Sequence, residues 1–282
     1  MLLSFTNGSN ICSKIQQQHI IYFYILIEGD FTIFVHMLNA VKFTVAPISL
    51  AFFAYLSFTQ RGIFTYSAFL YAYGMIPLIE FFLKNDESNL SEFEESLAKK
   101  NIAYDLVLYV SVALHLVMLS FFLFSLKDAT LQIYEVVGRV LSMGLVTTFA
   151  INLAHELGHR QTWAEQFLSK LMLLTTLMMH FFIEHNRGHH KNVATFEDPS
   201  TARKGETVYA FWFRAILNEY LSAWQLEKKR LEVIKQSNFS FHNEMIQFQI
   251  IQVLFVSLVY YLFGGFILIA FLFNAAIAYV SF

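Results

Sequence analysis

Charge is scarce in this chain. Only 14% of its 282 residues are Asp, Glu, Lys or Arg, against roughly a quarter in a soluble domain. That shortage excludes an ordinary water-soluble fold. The 56% hydrophobic and 17% aromatic content, with 32 phenylalanines, identifies an integral membrane protein. Cysteine is nearly absent: Cys12 stands alone, which excludes an intramolecular disulfide and a thiolate metal site. The first 18 residues lack the basic start and small-residue cleavage site of a signal peptide. The net charge of −2 says little as a total, and no nucleic-acid partner is expected. The length accommodates one bundle of spanning helices rather than several domains.

What is present is a succession of apolar stretches. Residues 1–36 fit them poorly, because the apolar run at 20–27 is too short to span and Glu28 and Asp30 interrupt it. Translation is expected to start at Met37, making 1–36 an N-terminal extension and 37–282 the membrane domain; the alternative is an interfacial helix at 19–36. Spans are expected at 43–59, 63–83, 104–126 and 132–154, with turns at Gln60-Arg61-Gly62 and Lys127-Asp128. The connector 84–103 gathers acids in 86–95 and reads as a solvated amphipathic helix. From Met245 onward the sequence predicts two further crossings, 246–263 and 266–282, turning at Gly264-Gly265. The expectation is therefore an all-α integral membrane protein, a six-helix transmembrane bundle.

Two histidine boxes sit where apolar stretches end: His155-Glu156-Leu157-Gly158-His159 and Glu184-His185-Asn186-Arg187-Gly188-His189-His190. On a helix, residues four apart share a face, so His155 and His159 can grip one metal, and His185 and His189 repeat the spacing. His190 then points about 100° away, towards a second ion. Imidazole suits iron, zinc and copper alike. After the boxes come Arg203, Lys204, Arg214, Lys228, Lys229, Arg230 and Lys235, and with Arg187 and Lys191 they form the densest cationic region; the positive-inside rule places it, and both boxes, in the cytoplasm. The apolar stretch 167–183 would separate the boxes if it crossed. It is therefore read as a re-entrant or interfacial segment. Glu156, Glu184 and Asp198 are candidate acceptors for imidazole N–H groups, with helix caps or interfacial carboxylates as the alternative. Arg187 and the basic loop are open to two readings, an acidic docking partner or anionic membrane lipid. His115, His180 and His242 carry no motif and read as packing or hydrogen-bonding residues. His-Glu-Leu-Gly-His also fits the zinc-protease pattern His-Glu-x-x-His, but no aspartate follows Asp198 to complete such a site.

The second box, followed by Val193-Ala194-Thr195 and Glu197-Asp198-Pro199, closely resembles the integral-membrane alkane hydroxylases of the membrane fatty acid desaturase-like superfamily, to which xylene monooxygenase also belongs. The resemblance runs from about Met37 to the end of the chain. It implies two non-haem iron ions at the cytoplasmic face, with His155, His159, His185, His189 and His190 among the ligands. It also implies a multi-pass protein of the bacterial inner membrane that hydroxylates the terminal carbon of medium-chain n-alkanes. O2 is the co-substrate, and electrons come from rubredoxin and rubredoxin reductase. A xylene-like aromatic or a fatty acyl chain is the alternative substrate. The family's downstream Asn-x-x-Glu-His-Tyr-Gly and His-x-x-His-His elements are missing, so the chain is expected to be truncated at its C-terminus and inactive alone.

Overall fold

The computed structural model describes residues 41–83, 95 and 101–282. The expected N-terminal extension and, apart from Glu95, the acidic cluster of the connector lie outside these residues. The chain divides into two compact units: residues up to Val45 with 87–107, and 46–86 with 108–282. In the first, the rings of Phe43 and Tyr104 pack with centroids 5.6 Å apart. The second carries both boxes.

All regular structure among the described residues is helical. In chain order the helices are α1 (Lys42–Thr59), α2 (Gly62–Phe82), α3 (Ile102–Ser125), α4 (Ile133–Gly158), α5 (Trp163–Thr175), α6 (residues 181–192), α7 (Val208–Val233) and α8 (Glu244–Ser281). Five of them, α1 to α4 and α8, are long and apolar enough to cross a membrane. The sequence expectation counted six because it divided the last stretch in two. The chain does fold back there: Gly264 adopts φ +82°, inside α8, and the rings of Phe255 and Phe271 meet at 5.7 Å. Sixteen residues of unbroken helix would set them about 24 Å apart. Glycine is suited to this corner because a side chain at that φ is strained.

Helix α4 is enclosed by its neighbours, and its small residues allow their approach. A Cβ on Gly144 would lie 2.5 Å from Ile277 Cγ2, and one on Gly138 would overlap Thr65 and the Tyr66 ring. Polar side chains stitch the same contacts in the apolar zone, where hydrogen bonds between helices replace a hydrophobic driving force. Ser57 donates to Ser142 Oγ at 3.1 Å, Ser142 to the Thr65 carbonyl at 3.0 Å, and Thr147 to Asn274 Oδ1 at 2.8 Å. His115, buried in α3, lies 2.9 Å from Thr175 Oγ1, the hydrogen-bonding role expected of it.

The end of the unit remote from the boxes is closed by charge. Arg61 in the α1–α2 turn pairs with Asp128 and reaches Glu135, whose other oxygen accepts from the Gly62 N–H at 2.7 Å. Arg139 is 3% exposed and donates to the carbonyls of Ser125 (2.8 Å) and Gln60 (3.1 Å), the ends of α3 and α1. Those carbonyls have no partner within their own helices. Arg139→Ala strips both of charge-assisted bonds worth roughly 1.5–3 kcal/mol each. It is expected to lower the thermal midpoint by several degrees, measurable in detergent by intrinsic fluorescence.

Helix α5 covers residues 167–175 of the 167–183 stretch. Its 13 residues make about 20 Å of helix, short of the ~30 Å hydrocarbon core. Leu177 then takes φ +58°, and Met178 N–H returns to the Leu173 carbonyl at 2.9 Å, a helix stop of the Schellman type. Ser169 donates to the Ala154 carbonyl at 2.6 Å, tying α5 to the last turns of α4. The helix is too short to cross and ends in a turn, which is compatible with either a re-entrant or an interfacial segment.

Candidate metal centre

The first box occupies the end of α4. His155 and His159 lie one turn apart, with their Nε2 atoms separated by 3.2 Å. The second box does not continue as an α-helix. Residues His185–His189 form a π-turn, in which the His190 N–H bonds to the His185 carbonyl. The i→i+5 pattern of a π-turn brings residues five apart above one another, where an α-helix would separate them by about 140°. His190 therefore joins His185, at 3.0 Å between Nε2 atoms, instead of turning away towards a second ion as α-helical spacing predicts. His159 Nε2 lies 3.3 Å from His185 Nε2 and 3.2 Å from His190 Nε2.

Four imidazoles, those of His155, His159, His185 and His190, thus present ligand atoms within 4.8 Å of one another. Metal–imidazole bonds of 2.0–2.1 Å imply nitrogen–nitrogen separations of about 3.4 Å around a tetrahedral ion, close to those here. A neutral imidazole carries one N–H and one lone pair; in the tautomers with the proton on Nδ1, the four Nε2 lone pairs converge as those of metal ligands do. The donor set fits a metal ion. Burial, and then the neighbouring imidazoles, push His185 down to about 3, and the same causes lower His190; both are neutral and able to ligate at physiological pH.

His189 stands outside this cluster. Its Nδ1 meets Asp198 Oδ2 at 3.0 Å. Asp198 is 2% exposed and accepts as well from Thr201 and, at 3.0 Å, from the Ser200 N–H. Burial alone would raise its carboxyl, but the bonds from Thr201, His189 and Ser200 prevail and hold it below the usual range. Of the three predicted acceptors, Asp198 meets an imidazole. Glu156 is exposed and pairs with Arg160 at 3.6 Å. Glu184 is buried, accepts from Ser222 at 3.3 Å, and is pushed up to about 7 by burial and then by the charges of Glu219 and Asp198. His180 packs edge-on to Tyr220 with its Nε2 3.4 Å from the Tyr279 hydroxyl. His242 is exposed, and its carbonyl accepts from Arg230.

A cavity of about 490 Å³ opens beside the cluster, with His155, His185 and His189 on one wall and Phe181, Phe211 and Trp212 among its apolar lining. Glu219 and Ser200 are among its polar lining residues, joined at 2.8 Å. Sequence reasoning missed Glu219 because it treated 187–235 as a cationic loop. Residues 208–233 are helical instead, N-capped by Thr207 onto the Ala210 N–H at 3.3 Å. The threonine followed by an uninterrupted run without glycine or proline was the available signal.

Residues 134–282 match the fatty acid desaturase family. The chain is 36% identical over 197 residues to alkane 1-monooxygenase 1 of Alcanivorax borkumensis, covering 70% of this chain and 49% of that protein. It is likewise 36% identical over 206 residues to alkane 1-monooxygenase of Ectopseudomonas oleovorans, covering 73% and 51%. The hydroxylase component of the xylene/toluene monooxygenase of Pseudomonas putida is 26% identical over 165 residues, 57% of this chain and 44% of that one. The chain spans about half the length of the curated relatives it matches. With more than half of its residues, and both boxes, inside the matched region, the chain belongs to the fatty acid desaturase family.

Proposed function

We propose that this protein hydroxylates the terminal carbon of medium-chain n-alkanes, using O2, at a non-haem iron centre held by His155, His159, His185 and His190, with electrons from rubredoxin and its reductase. The observation that carries this reading is the convergence of four imidazoles from both boxes beside an apolar-walled cavity. The homologous alkane 1-monooxygenases support the choice of reaction. An unactivated C–H bond offers no handle to acid–base catalysis, and iron, when bound, supplies the oxidising chemistry that side chains lack.

The chain's own residues do the rest. The imidazoles ligate, and for His185 and His190 desolvation and the neighbouring imidazoles favour the unprotonated form that does so. Asp198 accepts from His189 Nδ1 and so aims its Nε2. Phe181, Phe211 and Trp212 offer the substrate a dry surface, and the apolar helices let it arrive from the bilayer. The cations following the boxes favour the cytoplasmic side of a bacterial inner membrane for this end, reading 37–282 as the membrane domain. The two boxes supply the ligands of one ion, so the 282-residue chain alone is expected to bind iron without turnover.

Both statements are testable with protein purified in detergent, Fe2+, reduced rubredoxin and n-octane. The expected results are close to one iron per 282-residue chain and no 1-octanol from that chain alone. Octanol from the 282-residue chain would overturn the one-ion reading. Preference for m-xylene over octane would move the substrate to the aromatic class of the xylene/toluene relative. Zinc with peptide cleavage would replace the reading altogether.

A further inference from the structure

Arg187 lies in the middle of the π-turn, and neither of its terminal nitrogens is free for an outside partner. Nη1 donates to Glu227 Oε2 at 3.0 Å and Nη2 to Glu244 Oε2 at 2.6 Å. Glu227, on α7, is fully buried. It also accepts from Arg230 Nε at 2.8 Å and Nη2 at 2.5 Å, and from the backbone N–H of Glu244 at 2.7 Å. Glu244 begins α8 behind its Asn243 cap, and Lys170 of α5 stands 3.8 Å from its other oxygen. One guanidinium thus fastens the second box to two helices, with a third alongside.

We infer that this clamp is a positioning device: Arg187, held by Glu227 and Glu244, keeps residues 185–189 in the π register and thereby selects His190, rather than His189, for the imidazole cluster. A π-turn is rare and confined to single turns, often at functional sites, so a force outside the helix has to hold it. In an α-helix the fourth residue after His185, His189, would share its face; in the observed turn the fifth does. Releasing the clamp lets the segment relax towards the α register and rotates His190 out. A lysine keeps the charge but not the fork that spans two carboxylates, so Arg187→Lys should release the turn nearly as well as Arg187→Gln.

The consequence for metal binding rests on the metal-centre reading above, and the experiment separates the two. Co2+ is titrated into the 282-residue chain in detergent, following its ligand-field absorption and its affinity, for wild type, Arg187→Gln, His190→Ala and the double variant. Arg187→Gln is expected to weaken Co2+ by about 10–100-fold, the range for groups that orient ligands, His190→Ala by at least as much, and the double variant should be no weaker than His190→Ala. Losses that multiply would overturn the proposal, because independent sites add in free energy. Amide exchange across 185–190 should accelerate in Arg187→Gln and Arg187→Lys while α4 stays protected. Should Arg187→Gln not fold, Arg187→Lys carries the same comparison. Should wild type bind no Co2+, the metal reading falls and the exchange data still decide the clamp: unchanged exchange in Arg187→Lys refutes it.

Discussion

His185→Ala is expected to abolish metal binding by the chain, with affinity for Fe2+ or Co2+ falling by more than 100-fold, whereas His189→Ala should cost no more than the 10–100-fold typical of groups that support ligands. His185 is the pivot of the cluster. Its Nε2 lies 3.3 Å from that of His159 and 3.0 Å from that of His190, and its ring stacks on Phe181 at 4.7 Å. Removing it takes one ligand and the surface that orients its neighbour. His189 shares the motif but spends Nδ1 on Asp198, and it is absent from the group of atoms that converge. Competition against a chelator ranks the two variants directly. Equal losses would place His189 in the metal's coordination shell and contradict the separation drawn from the π-turn.

The ranking could not be read from sequence, and the reason is physical. The boxes themselves were legible, because histidines four apart at the end of an apolar run imply a helix face, and His155 and His159 meet that expectation. The second box was read with the same α-helical ruler. What changes its register is a contact between residues 40 and 57 positions apart, Arg187 with Glu227 and Glu244, and local spacing carries no trace of it. The spans were legible for the opposite reason: a bilayer imposes length and apolarity locally. Hence 132–154 was placed to within a few residues of α4, and Gly264-Gly265 marked the corner of α8. α7 was hidden because its polar face, with the half-buried Glu219 and the buried Glu227, makes it look like a solvated loop. Only the partners of Glu219 and Glu227 show why acids lie inside it.

Gly188→Ala is the smallest substitution with a large expected effect. A Cβ there would sit 2.5 Å from Glu184 Oε1, 3.2 Å from Glu184 Cδ and 2.9 Å from Leu226 Cδ1. Alanine is a better helix former than glycine by up to about 1 kcal/mol, and Gly188 is not among the residues with positive φ, so local backbone preference favours the change. Overpacking opposes it at about 1–3 kcal/mol, because Glu184 is 1% exposed and bonded to Ser222 and has little room to withdraw. The first term offsets only part of the second, and the displacement falls between His185 and His189. Thermal stability should therefore drop only modestly while Co2+ affinity falls at least tenfold. Relief of the closer contact discriminates this account from a general loosening of the box. Gly188→Ala with Glu184→Ala should recover more affinity than Gly188→Ala with Leu226→Ala, since the carboxylate is the nearer obstacle and the leucine tip can swing aside. Equal recovery by both, or by neither, would mean that the glycine is needed for something other than the space beside Glu184.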